Sequence, residues 1–131
     1  MDLGISTNPT PELYTIKVTG EIDISNADSL RNAIDLALEQ PTEAVELDFA
    51  QVSYIDSTGI GVLVGAAHHA ADHGKRFSCV NVQPPVMRVV QLLGVDQEIS
   101  ITAAYSLPPK GRAVWHMFVM RSDVLASGRY T

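Results

Sequence analysis

The feature that most constrains this chain is an alternating segment followed directly by a helical pattern. Residues Val45 to Phe49 place apolar and acidic side chains in turn, which predicts a strand with one covered and one solvated face. A strand covered by helices on both faces would be apolar throughout. A second alternating segment, Tyr14 to Val18, has the same property. The sequence therefore predicts a sheet with its helices packed on one face.

The junction after the central strand, Asp56 to Gly61, carries polar side chains into the first turn of a helix. The first N–H groups of a helix have no partners within it and lie at the positive end of its dipole. A hydroxyl phosphorylated at this position would therefore meet hydrogen-bond donors and a favourable field. Gly59 and Gly61 each cost a helix about 1 kcal/mol relative to alanine. Two glycines so close together indicate that another group approaches the backbone here.

The remaining patterns alternate between strands and helices. Strands are predicted over residues 13–18, 45–49, 77–82 and 98–102, and helices from Ser25 to the residue before Pro41, from the junction to Gly74, and from Pro84 to Leu93. The first ten residues are predicted to be frayed, and Gly20 to end the first strand. Ser25 with Asp28 is predicted to begin the first helix as a capping box. Short connections between such elements imply right-handed crossovers, so the predicted fold class is α/β, a single domain with a mixed, largely parallel sheet.

Composition and charge restrict the class of protein. A chain of 131 residues fits one domain. It has no apolar run of the length that crosses a bilayer, and Met1 to Gly4 lacks the basic start of a secretory signal, so we expect a cytoplasmic protein with no membrane partner. The formal net charge of -6 argues against direct nucleic-acid binding, which depends on clustered lysine and arginine. The single cysteine, Cys79, excludes an intramolecular disulfide and a cysteine-rich metal site.

Four segments stand out by their order and spacing: Gly20 to Asp23, Val45 to Ser53, Asp56 to Leu63 and Val82 to Asp96. Together they resemble the STAS-domain family of bacterial anti-sigma factor antagonists. The segment from Asp56 to Leu63 resembles the phosphorylation-site signature of that family. Gly20 to Asp23 resembles an early turn of the family, Val45 to Ser53 its central strand, and Val82 to Asp96 its third helix. The resemblance covers about residues 8–102 by this pattern, and it implies the same α/β fold with helices on one face.

The resemblance also divides the chain. We expect a STAS domain over residues 1–104 and a C-terminal extension over residues 105–131. The extension contains an apolar octet, Ala113 to Met120, that the family pattern does not cover. The octet is too short to span a bilayer. It is compatible with an added strand, a helix that closes the domain, or a partner-binding tail.

The function that the resemblance implies is regulatory, not enzymatic, and needs no cofactor or metal. Unphosphorylated, such a protein binds an anti-sigma factor with serine kinase activity and so releases a sigma factor, for example in a stress response. The kinase phosphorylates the serine that follows the aspartate, here Ser57, with Thr58 as the alternative acceptor, and a serine phosphatase reverses the reaction. The face that meets the anti-sigma factor is implied to comprise Asp23, Asp56, Ser57, Thr58, Gly59, Ile60 and Gly61.

Other interpretations of the same residues stay open. By residue type alone, Ser57 is also a helix cap, and Asp23 and Asp56 are ordinary turn residues. The chain could instead be a STAS scaffold subunit of a stress-signalling complex, or a small-ligand or nucleotide-binding domain, although it lacks a P-loop and a nucleophile elbow. His69 and His73, four residues apart, could bind a metal, but no third ligand is evident and solvated histidines are favoured.

Overall fold

The computed structural model describes residues 3–104, in which five strands and three α-helices alternate along the chain. The strands are β1 (Gly4–Pro9), β2 (Tyr14–Ile22), β3 (Ala44–Ile55), β4 (Arg76–Val82) and β5 (Ser100–Ala103). The helices are α1 (Ala27–Leu38), α2 (Ser57–Asp72) and α3 (Pro84–Leu92), and a 3-10 turn follows at Val95–Gln97. The strands lie in the sheet in chain order, with β1 antiparallel to β2 and the other neighbours parallel. The prediction of a mixed, largely parallel α/β sheet is confirmed.

Within residues 3–104, the sheet has one face covered by helices and one exposed face. In β2, the side chains of Ile16 and Val18 are fully buried, whereas Lys17 between them is exposed. Leu47 of β3 pairs with Ile16 and with Cys79 of β4, and all three are buried. Each parallel connection contains one helix and leads one strand further in the same direction. Right-handed crossovers therefore place α1, α2 and α3 on the same face, as the alternation predicts.

The core lies between the covered face and the helices. Its largest fully buried side chains come from both layers and include Phe49, Ile16, Ile22, Leu30, Ile34, Leu38, Leu47, Ile55 and Leu63. Burying one such side chain stabilises the fold by about 1.5–3 kcal/mol. Two residues that the helical periodicity predicts on inner stripes, Ala71 of α2 and Leu93 of α3, are exposed instead. Leu93, expected on the inner stripe of α3, is 56% exposed, because α3 ends at Leu92 and Gly94 then turns the chain with a φ of 72°.

The prediction of a frayed N-terminus is wrong. Residues Gly4–Pro9 form β1, which pairs along its length with β2 from Gly4 opposite Thr19 to Pro9 opposite Tyr14. Its polar sequence resembles a loop, but an edge strand needs a hydrogen-bonding partner on one side only. Ile5 adds a partly buried apolar contact to the core.

The prediction that Gly20 ends the first strand is also wrong. β2 continues to Ile22, and the pairing register with β3 shifts between Gly20 and Glu21. Gly20 has a φ of 121°, a backbone conformation that residues other than glycine rarely adopt. A shift of this kind bends a strand locally and redirects the residues that follow. Here it directs the end of β2 toward the start of α2.

Residues 105–131 lie outside the described part of the chain. The prediction of a C-terminal extension, and of three possible roles for the octet Ala113 to Met120, therefore stays a prediction. Within residues 3–104, no helix has both the length and the hydropathy needed to cross a bilayer.

Candidate functional site

Two loops meet at the carboxyl ends of the parallel strands β2 and β3. Ile22 pairs with Ile55, and the backbone N–H of Asp56 donates to the carbonyl of Ile22 over 3.1 Å. Asp23 and Asp56 therefore start adjacent loops. The two carboxylates that were predicted to belong to the site lie on neighbouring strand ends. The carboxyl ends of parallel strands are where α/β sheets usually place their functional residues.

The β2–α1 loop is fixed by hydrogen bonds within itself. The Asp23 carboxylate accepts from both the N–H and the hydroxyl of Ser25, and these bonds lower the pKa of Asp23. The side chain of Asn26 accepts from the N–H of Asp23 and donates to the carbonyl of Glu21, at 2.9 and 2.8 Å. Asn26 is 5% exposed. A buried amide with bonds on both sides holds the Asp23 loop in one conformation.

The predicted capping box at Ser25 and Asp28 is wrong. Asn26 occupies the N-cap position of α1. Its side chain forms hydrogen bonds with the backbone of the preceding loop and not with the N–H groups of the helix. Ser25 bonds to Asp23, and Asp28 pairs with Arg31. The role of Asn26 could not be predicted from sequence, because the serine directly before it is an equally good candidate for the N-cap position.

At the start of α2 the cap is Asp56, not Ser57. The backbone of Asp56 is extended, and its carboxylate accepts from the N–H of Gly59 over 3.0 Å. The interpretation of Ser57 as a cap is therefore wrong. Ser57 is the first residue of the helix and is exposed, and its hydroxyl forms no hydrogen bond within residues 3–104. Its oxygen is accessible to a reactant from solvent.

The first turn of α2 also keeps free donors. The N–H of Gly59 bonds to the side chain of Asp56, and the N–H of Ile60 to the carbonyl of Asp56. Within the described residues, the N–H groups of Ser57 and Thr58 have no such partner. Two N–H groups at the positive end of a helix dipole form a favourable environment for an anion on Ser57.

The two glycines of this turn have different environments. A Cβ atom on Gly59 would lie 2.6 Å from Cγ1 of Ile55 and 2.7 Å from Cγ2 of Ile22, so α2 approaches the sheet closely at this point. A Cβ atom on Gly61 would meet no atom of residues 3–104 within 4 Å. Gly59 and Ile60 are buried beneath the site, whereas Gly61 is exposed beside it. The close approach expected at the glycines is made at Gly59 by the core of the chain itself.

The histidines of α2 lie apart from this site. Nδ1 of His69 is 3.2 Å from Oδ1 of Asp35 on α1, and Nε2 of His68 is 3.4 Å from Oε1 of Glu98. The ring of His73 lies edge-on to that of His69, with 4.8 Å between centroids. Among residues 3–104, no three His, Cys, Asp or Glu side chains are arranged to hold a metal ion. Cys79 is buried, and burial raises the pKa of its thiol far above the usual range.

The fold and the junction sequence together define a STAS domain. The sequence model described as "Mlab, STAS domain" matches residues 5–104, which is the whole of the sheet and its helices apart from the first residue of β1. The chain therefore belongs to the STAS-domain family.

Among its relatives, the chain is 30% identical over 95 residues to an anti-sigma-B factor antagonist of Staphylococcus epidermidis, a match that covers 72% of this chain and 88% of that protein. The fold is similar to that of the anti-sigma factor antagonist SpoIIAA in its unphosphorylated form, with a TM-score of 0.65, 24% identity and coverage of 75% and 87% of the two chains. It is also similar to the Bacillus cell fate determinant SpoIIAA in the phosphorylated form, with a TM-score of 0.59, 23% identity and coverage of 75% and 90%.

Proposed function

We propose that this protein is an anti-sigma factor antagonist whose binding is switched off by phosphorylation of Ser57. In the unphosphorylated state it binds an anti-sigma factor with serine kinase activity, and the sigma factor is released in the cytoplasm. The observation that carries the proposal is the Ser57 hydroxyl, which is exposed at the start of α2 and forms no hydrogen bond within residues 3–104, because Asp56 provides the cap. The family membership and the names of the relatives support the same function.

The proposed modification is a phosphoryl transfer in which this chain is the substrate and not the enzyme. The Ser57 oxygen attacks the γ-phosphorus of ATP held by the kinase, and a new O–P bond forms as the bond to the bridging oxygen of ADP breaks. The hydroxyl proton passes to a base of the kinase. A serine phosphatase then hydrolyses the ester and restores the hydroxyl. Thr58 is a poorer acceptor on this reasoning, because it is partly buried whereas Ser57 is exposed.

The charge change explains why binding would stop. A phosphate adds about -1.5 to -2 charges at neutral pH. It would stand next to the Asp56 carboxylate, and the Asp23 loop lies beside it through the contact of Asp56 with Ile22. A partner surface that fits a neutral hydroxyl would then have to desolvate a dianion, and the phosphates of a nucleotide bound to that partner would repel it.

The test is a binding measurement with purified candidate anti-sigma factors from the source organism. We expect wild type and Ser57→Ala to bind, and Ser57→Asp to bind at least roughly tenfold more weakly, which corresponds to 1.4 kcal/mol. Ser6→Asp is the matched control, since it adds the same charge on the exposed edge strand β1. Equal binding by Ser57→Asp and wild type would contradict the switch. A large homo-oligomer without affinity for any anti-sigma factor would favour the scaffold interpretation instead.

A further inference from the structure

A groove runs between α1 and α2 and has a volume of about 230 Å³. Its floor is the backbone of α2 at Gly61 and Gly65, and its apolar wall includes Ile34 and Val62. A Cβ atom on either glycine would meet no other atom of the described chain within 4 Å. Packing within the described chain therefore does not explain why these positions are glycine. Both positions favour alanine for helix stability, because glycine loses more backbone entropy in a helix.

The groove leads away from Ser57. Ser57, Gly61 and Gly65 are spaced by four residues, so they lie along one stripe of α2, and all three are exposed. With a rise of about 1.5 Å per residue, the stripe is about 12 Å long. A single extended or helical segment of a partner can therefore contact the hydroxyl and the groove at once.

The rim of the groove carries three polar side chains, Arg31, Asp35 and His69. Arg31 is paired with Asp28 on the preceding turn of α1. Asp35 contacts His69 through Oδ1 only, its side chain is 40% exposed, and its Oδ2 has no partner in the described residues. Oδ2 of Asp35 can therefore accept a hydrogen bond from a cationic side chain of a partner. The formal net charge of the chain, -6, favours a cation there as well.

We propose that this groove is a second contact for the anti-sigma factor, and that it receives one apolar side chain of a partner segment while a neighbouring lysine or arginine pairs with Asp35. The inference rests on the proposed function and specifies the surface that the partner uses. The glycines leave the backbone of α2 uncovered so that the partner segment can lie close to it. An added methyl group would separate the two surfaces and leave a gap in their packing.

The test uses the full chain and the anti-sigma factor that binds wild type, measured by isothermal titration calorimetry and thermal unfolding. In the double variant Gly61→Ala, Gly65→Ala we expect the melting temperature to rise by several degrees and the Kd to increase roughly tenfold or more. If the glycines have no role in binding, the double variant will show the same rise in melting temperature with no change in Kd. Asp35→Lys should weaken binding by a similar factor, whereas Asp72→Lys, at the exposed end of α2, should leave the Kd within about twofold.

Each outcome decides between the two proposals. If wild type binds, Ser57→Asp does not, and the double glycine variant binds as wild type does, the groove proposal is wrong and the proposed function stands. Weakening by Asp35→Lys alone, without an effect of the glycine variant, also overturns the apolar contact in the groove. If wild type binds no anti-sigma factor, the proposed function and the occupant assigned to the groove are both wrong.

Discussion

The substitution Gly59→Ala tests how closely α2 packs on the sheet, through its effect on stability. A Cβ atom at this position would lie 2.6 Å from Cγ1 of Ile55 and 2.7 Å from Cγ2 of Ile22. Both isoleucines are essentially fully buried, at 1% and 0% exposure, so neither side chain can move into solvent. Overpacking of this kind in a core costs about 1–3 kcal/mol. The gain in helix propensity from glycine to alanine offsets about 1 kcal/mol of that cost.

Gly61→Ala is the matched control, since it is the same substitution two residues further along the same helix. Its Cβ would meet no atom of the described part of the chain within 4 Å, so only the propensity gain of about 1 kcal/mol applies. In the difference between the unfolding free energies of the two variants, the propensity contribution cancels and the cost of overpacking remains. We expect Gly59→Ala to be less stable than Gly61→Ala by about 1–3 kcal/mol. For a domain of this size, each 1 kcal/mol corresponds to about 4–8 °C in melting temperature.

The measurement is urea unfolding followed by circular dichroism, with thermal unfolding of the same samples. A change in midpoint without a change in slope would show that stability, and not the compactness of the unfolded state, has changed. Equal stabilisation of the two alanine variants would refute the close approach of α2 to Ile22 and Ile55. It would mean that the core relaxes around a methyl group at no cost.

Three further predictions concern other parts of the structure. Lys75→Met should destabilise the fold by about 1–2 kcal/mol in urea unfolding. Nζ of Lys75 donates to two carbonyls at the end of α1, that of Leu38 over 2.6 Å and that of Gln40, and methionine cannot form either bond. Asp23→Asn should change the pH dependence of stability. The folded pKa of Asp23 is lowered by Ser25, so its carboxylate stabilises wild type above the unfolded pKa of about 3.9, and this contribution is lost as the pH falls through the folded value. The difference in melting temperature between wild type and Asp23→Asn should therefore shrink as the pH falls below about 4. Cys79 should resist iodoacetamide in the native protein and react in urea, as followed by mass spectrometry, because it is buried and its pKa is raised.

Each of these has a result that would contradict it. Lys17→Met, on the exposed face of β2, is the control for Lys75→Met. If the two variants lose the same unfolding free energy, Lys75 does not stabilise the end of α1. A pH-independent difference for Asp23→Asn would mean that the bonds from Ser25 do not persist in solution. Rapid alkylation of native Cys79 would mean that the covered face of β4 opens easily.

The parts of the fold that follow from local periodicity could be predicted from the sequence. The alternation at Val45 to Phe49 depends on one covered face only, and it identified the sheet and the side on which the helices lie. The strand β1 was missed because its residues are polar and because β2 is its only partner among the described strands. The difference between Gly59 and Gly61 could not be predicted either, since it depends on side chains of two strands, one of them far away in sequence.

The position of the cap explains how a phosphate could change binding without changing the fold. If Ser57 itself capped α2, phosphorylation would replace the capping oxygen and place the cost of the switch, about 0.5–2 kcal/mol, on helix stability. With Asp56 as the cap, a phosphate on Ser57 would not take the place of the oxygen that accepts from Gly59. The N–H groups of Ser57 and Thr58 meanwhile give a phosphate two donors within the helix dipole, so the modified helix start gains favourable contacts. On the proposed function, stability and recognition are thus assigned to adjacent side chains, and a phosphate on Ser57 would alter the exposed surface without removing the helix cap.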